Sequence, residues 1–121
     1  MTKGHEVNQR FKKIFGIDMN GHSAEAYTSV WVLKTAMEQA GNTNGEAVKN
    51  ALKALDIRES FPDGGEIILP YDRICFEGTW HYNDNISASV AIAQIQNGEY
   101  KTVWPFEYAK EKIQYPARYS R

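Results

Sequence analysis

The side chains of this chain that could do chemistry are few. His5, His22 and His81 stand far apart, and no pair has the spacing of a local metal-ligand motif. The only cysteine, Cys75, lies in an apolar, strand-like run (Arg73 to Phe76) and reads as a small buried hydrophobe rather than a reactive thiolate. The chain carries 15 carboxylates, and none is set apart from the surface charge pattern as an acid–base pair. There is no Gly-x-Ser-x-Gly elbow, phosphate loop or dinucleotide fingerprint. The sequence therefore predicts no catalytic residue, no metal and no cofactor. Two polar-aromatic clusters, Tyr71-Asp72-Arg73 and Trp80-His81-Tyr82, fall in loops, where binding residues are often carried.

The elements that must position these residues come as helices first and strands second. Val7, Phe11, Ile14 and Phe15 share one face of a short amphipathic helix, Val7 to Phe15, stopped by Gly16. Asn20-Gly21 reads as a turn. Ser23 reads as the N-cap of the next helix, with Glu25 in the first turn to complement the dipole. That helix, Ala24 to Ala40, has Ala26, Tyr27, Val30, Leu33, Met37 and Ala40 as its apolar stripe. Trp31 widens the stripe, so burial is expected on more than one side. Lys34 and Glu38 form an exposed pair, and Gly41 ends the helix. Thr43-x-x-Glu46 reads as a capping box for a third helix, Asn44 to Leu55, with Val48, Ala51, Leu52 and Leu55 facing inward.

Pro62-Asp63-Gly64-Gly65 is a loop, and Glu66 to Leu69 and Arg73 to Phe76 are candidate strands. Asn97-Gly98 between Val90–Gln96 and Tyr100–Trp104 is a strong hairpin signal, because both residues tolerate the positive φ of a tight turn. The tail beyond Ala109 is expected to be extended. The fold class is α+β: amphipathic helices, then short strands and a C-terminal β-hairpin. With 14 basic and 15 acidic residues well mixed, no basic stripe points to nucleic acid. No apolar run is long enough to cross a membrane. Met-Thr-Lys-Gly-His-Glu at the start lacks the apolar core of a secretory signal.

Three features in order carry a family resemblance. They are the long helix AEAYTSVWVLKTAMEQAG (Ala24–Gly41), the short helix GEAVKNALKAL (Gly45–Leu55), and the ending IAQIQNGEYKTVWPFEYA (Ile92–Ala109), preceded by LPYDRICFEGT. Together they resemble the C-terminal segment of type I periplasmic solute-binding proteins, the receptors of branched-chain amino-acid and related ABC importers. The likeness runs from about Phe11 to Pro116.

The resemblance implies a partial type I periplasmic-binding-protein fold, a single incomplete domain over 1–121. In it, 6–60 would be the helical part of one lobe, 61–85 a hinge-proximal segment, and 86–121 the hairpin and tail of the other lobe. It implies a non-enzymatic receptor, periplasmic or extracellular in full length. The partners would be a small amino acid or amide ligand and an ABC permease, with weak or no ligand binding by this chain in isolation. His22, five residues before Tyr27, matches the family position that faces the ligand cleft, and His22, Ser23 and Tyr27 are the implied ligand-binding residues. A helix start suits a ligand carboxylate, since its first N–H groups lack helical partners. On a plainer reading Ser23 only caps the helix, His22 is a solvated loop residue and Tyr27 is core. A helix stripe left wet would exceed the ~300–600 Å² patch usual on monomers, so a homo-oligomer is expected for the isolated chain. The Met start and the missing signal favour a different reading, a stand-alone cytoplasmic α+β interaction module that dimerises.

Overall fold

A computed structural model describes residues 3–76 and 84–116. The chain forms two compact units, Met1–Ala88 and Ser89–Arg121. The first holds helices α1 (Lys3–Phe15), α2 (Gly21–Ala40) and α3 (Gly45–Ala54) and the short strands β1 (Asp56–Arg58) and β2 (Arg73–Cys75). The second holds β3 (Ile92–Gln96) and β4 (Glu99–Trp104). Three helices and two antiparallel strand pairs among the described residues make this a small mixed α+β fold.

In α1, Val7 and Phe11 are half-buried, whereas Ile14 and Phe15 at its end are exposed. Gly16 closes the helix as expected, at φ 75° with its N–H on the Lys12 carbonyl at 2.8 Å. The connection to α2 is tied back onto α1. Asn8 Oδ1 accepts from the Met19 N–H at 2.7 Å, and Lys12 Nζ donates to Asp18 at 3.0 Å.

Helix α2 starts earlier than the sequence reading places it. Asn20 is extended and its Oδ1 accepts from the Ser23 N–H at 2.8 Å, so Asn20, not Ser23, is the N-cap. The Asn-Gly pair acts as cap and first helical residue, and the helix gains a turn. At the other end Gly41, at φ 71°, donates to the Met37 and Glu38 carbonyls, as predicted. Helix α3 is likewise capped by Asn44, one residue after Thr43, whose place in a capping box is not taken up. Asn44 Oδ1 accepts from the Glu46 and Ala47 N–H groups, and Glu46 pairs instead with Lys49 at 2.8 Å.

The face that α2 buries is only partly the expected one: Met37 and Ala40 of the predicted stripe pack against the core, and Trp31 widens the buried side as expected. Thr28, Thr35 and Ala36 are buried, with Trp31 and Val32 beside them. At 3.6 residues per turn this is nearly the opposite side from Ala26, Val30 and Leu33, which are exposed. The threonines can face inward because each hydroxyl is satisfied within the helix. Thr28 Oγ1 donates to the Ala24 carbonyl at 3.0 Å and Thr35 Oγ1 to the Trp31 carbonyl at 2.8 Å. Their small size lets α3 pack closely, bringing Val48 and Leu55 into the core with Ala36.

After α3 the chain enters β1, a three-residue strand without the length to signal itself in sequence. It pairs antiparallel with β2 in the register Asp56↔Cys75, Ile57↔Ile74, Arg58↔Arg73. Ile57 and Ile74 therefore point together into the core, where they meet Phe61. Glu66 to Leu69 forms no strand; Glu66 takes part in an isolated bridge to Ser60. The turn after Phe61 closes through the Phe61 N–H on the Gly65 carbonyl at 2.6 Å, and Trp31 stacks on Phe61 with centroids 5.8 Å apart.

In the second unit, β3 and β4 form the predicted hairpin. Asn97 and Gly98 take φ values of 53° and 80°, and Ile95↔Tyr100 is the second pair from the turn. A bulge interrupts the ladder between Ile92 and Ala93. The tail is not merely extended. It folds back, and Gln94 and Gln114 clasp each other reciprocally: Gln94 Nε2 donates to the Gln114 carbonyl and the Gln114 N–H to Gln94 Oε1, both at 2.9 Å. Buried Gln96 donates to the Lys112 carbonyl at 2.8 Å.

Candidate functional site

The described residues of the first unit enclose a groove of about 460 Å³. Its apolar walls come from Val32 and Leu33 of α2, Leu52 of α3, Leu69, Ile74 of β2 and Phe76. Five polar residues complete its lining: Glu25, Thr28 and Ser29 on α2, Tyr71, and Asn85. An apolar cleft with a few convergent polar groups is the usual form of a small-ligand site.

The polar residues are placed by local bonding. Asn85 Oδ1 accepts from the Cys75 N–H at 3.1 Å and from the Ser87 N–H at 3.3 Å, while the Ile86 N–H reaches the Cys75 carbonyl at 3.0 Å. The segment after residue 83 is thereby fastened along β2, and the Asn85 side chain bonds the Tyr71 phenol. Burial pushes that phenol above its ordinary value. The Asn85 bond opposes the rise, and the negative charge of Glu25 adds to it. The hydroxyls of Thr28 and Ser29 are both donated to carbonyls of their own helix, at 3.0 and 2.8 Å. Neither is an activated nucleophile. The groove can hold an apolar or amphiphilic group, with a carboxylate, a phenol and an amide along its rim.

The residues implied by the family likeness lie nearby on α2 but do not line this groove. His22 is almost fully in water, its side chain 96% exposed, with Nδ1 3.2 Å from Glu25 Oε2. Ser23 Oγ donates to Asn20 Oδ1 at 2.9 Å. Tyr27 is half-buried and meets Trp31 edge-on, with centroids 6.4 Å apart. At this helix start the Ser23 and Ala24 N–H groups are already spent on Asn20, through its side chain and its carbonyl. The groove instead recruits Glu25, which the sequence offers only as a dipole partner, and Tyr71, half of a loop cluster noted from sequence. The Trp80-His81-Tyr82 cluster lies outside the described residues.

Among the described residues, no three of His, Cys, Asp and Glu gather at a point that would hold a metal ion. Cys75 is buried. No helix among them is long and apolar enough to cross a membrane. No protein-family model matches the chain, and no curated protein matches it.

Proposed function

We propose that the chain is a segment of an ABC-importer solute-binding receptor for amino acids or related small polar ligands, non-enzymatic, contributing one wall of a ligand cleft. The observation that carries this reading is the two-sidedness of α2. One side packs into the unit's own core, while Ala26 and Val30 lie on a second apolar side that is exposed, with Val30 68% in water. A helix that is apolar on opposite sides is built to lie between two layers of protein. The motif order Ala24–Gly41, Gly45–Leu55 and Ile92–Ala109, with its hairpin formed as expected, supports the same reading. In the whole receptor the ligand would be enclosed by lobe closure, which presents a closed form to the permease. The receptor would work in the periplasm or outside the cell.

The same open faces also favour a second reading, a stand-alone α+β module that dimerises. Intact mass of the endogenous product separates the two. A longer, signal-processed product that binds an amino acid or amide in calorimetric titration is the expected result, with weak or no binding by the 121-residue chain. A cytoplasmic product of 121 residues would overturn the receptor reading. Tight binding of an amino acid by that chain alone would overturn the claim that it supplies only one wall.

A further inference from the structure

We propose that Asn97, in the β3–β4 turn, is a site of spontaneous covalent modification, converting to aspartate and isoaspartate and loosening the hairpin as the protein ages. The chain has three Asn-Gly steps, Asn20-Gly21, Asn44-Gly45 and Asn97-Gly98. At such a step the backbone nitrogen that follows can reach the asparagine side chain most easily, because glycine has no Cβ to hinder the approach. Sequence alone makes the three equivalent.

The structure separates them. Asn20 Oδ1 accepts from the Ser23 N–H at 2.8 Å and from Ser23 Oγ at 2.9 Å, and Asn44 Oδ1 accepts from the Glu46 and Ala47 N–H groups at 3.0 and 3.3 Å. Gly21 and Gly45 are the first residues of α2 and α3, so ring closure there would cost a cap and disturb a first turn. Asn97 and Gly98 are exposed between two strands, at φ 53° and 80°. Among the described residues, neither the Asn97 side chain nor the Gly98 N–H makes a hydrogen bond. A two-stranded hairpin is marginal in water, so its tip opens at little cost. The Asp63-Gly64 step is held as well: Asp63 pairs with Lys34, and the Gly64 N–H donates to the Phe61 carbonyl at 2.9 Å.

In the first step the Gly98 backbone nitrogen attacks Asn97 Cγ. The new N–Cγ bond forms, the Cγ–Nδ2 bond breaks, and Nδ2 leaves as ammonia with the proton that Gly98 gives up. One solvent water then opens the five-membered imide, its hydroxyl adding to a ring carbonyl and its proton going to the ring nitrogen. Opening at Cγ gives aspartate. Opening at the backbone carbonyl gives isoaspartate, whose chain runs through Cβ and adds one backbone carbon to a two-residue loop. That loop is matched to its strands by turn geometry, so the added carbon upsets the register. Either product also sets a carboxylate two residues from Glu99. The pair nearest the turn is Gln96↔Glu99, and buried Gln96 holds the Lys112 carbonyl of the returning tail. A change at the tip therefore reaches the tail.

The test is peptide mapping by mass spectrometry of the 121-residue chain aged in mildly alkaline buffer, native and in denaturant. In denaturant the three asparagines should convert at similar rates, since glycine follows each. In the native chain Asn97 should convert at least about tenfold faster than Asn20 or Asn44, whose caps must open first. Amide exchange at Gln96 and Gln114 should then quicken in the isoaspartate fraction and stay unchanged in α2. Asn97→Asp, which adds the charge without the extra backbone carbon, should disturb the hairpin less. Equal conversion of all three sites in the native chain, or faster conversion at a cap, would overturn the proposal. So would isoaspartate at position 97 with exchange in the hairpin unchanged.

Discussion

Gly65 lies against the indole of Trp31: a Cβ at position 65 would stand 2.6 Å from Cδ2 and 2.7 Å from Cε2 and Cε3. The close approach exists because Phe61 turns back through Gly65 and stacks beneath the same indole. Gly65→Ala must push the ring off Phe61 or distort the turn. The variant should lose about 1–3 kcal/mol of stability, the usual cost of overpacking a filled site. Denaturant unfolding followed by tryptophan fluorescence measures the loss, and an unchanged midpoint would show that the indole is free to move aside.

The acid limb of the stability profile should carry the signature of Asp56. Arg73 Nε and Nη2 grip its two oxygens at 2.7 and 3.1 Å across the β1–β2 pair, and Arg58 adds a third contact at 3.0 Å. The Arg73 hydrogen bonds, more than the Arg58 one, hold the carboxyl below its ordinary value of 3.8. A carboxyl that ionises more easily when folded adds stability above that ordinary value, and the contribution is lost as pH falls through the lower, folded one. Melting temperature against pH should therefore fall less steeply in Asp56→Asn than in the native chain, the two curves meeting at the acid end. Parallel curves would mean the pair is too well solvated to matter.

Tyr71 should act at the other end of the scale. Its phenol is raised above 10.0 chiefly by burial. The unfolded chain then gives up this proton first, so the contribution of Tyr71 is complete below the ordinary value and is lost as pH rises through the folded one. Ultraviolet titration of phenolate absorbance should show one tyrosine ionising late, and Tyr71→Phe should abolish that late step. If the late step remains, another tyrosine is the buried one.

The glutamine clasp predicts a local effect without a global one. Gln94→Ala removes both bonds from the Gln114 backbone to Gln94, keeps the bond from Gln114 Nε2 to Gln96 Oε1, and leaves the helices of the first unit untouched. Amide exchange at Gln114 should quicken by about five- to thirtyfold, which corresponds to losing bonds worth ~1–2 kcal/mol. Exchange in α2 should not change. Equal acceleration in both places would mean that the two units unfold together.

The elements with strong local chemistry were legible in the sequence. The Asn97-Gly98 hairpin, the Gly16 and Gly41 stops and the inward side of α3 all follow from residues whose backbone preference or periodicity leaves one good choice. What escaped were features set by competition between neighbours. Asn20 outranks Ser23, and Asn44 outranks Thr43, because asparagine in an extended residue reaches the next N–H groups first. Hydrophobicity alone reads helix α2 only in part: Trp31, Met37 and Ala40 face the core as it predicts, but the threonines do so as well. Thr28 and Thr35 count as polar in any pattern, yet their hydroxyls close onto their own helix and let them enter the core. The groove was hidden for another reason: Glu25, Tyr71 and Asn85 are brought together by the β1–β2 register and the Asn85 clamp, neither of which leaves a periodic trace.

Helix α2 thus keeps Thr28 and Thr35 dry while Val30 and much of Leu33 stay wet, and this bears on how the protein can be handled. Solvatochromic dyes that brighten on hydrocarbon surfaces should already glow with the folded chain, bound along Val30 and Leu33. A dye-monitored melt would then begin bright and lose its baseline. The emission of Trp31, stacked on Phe61 inside the same unit, is the probe that will see unfolding begin.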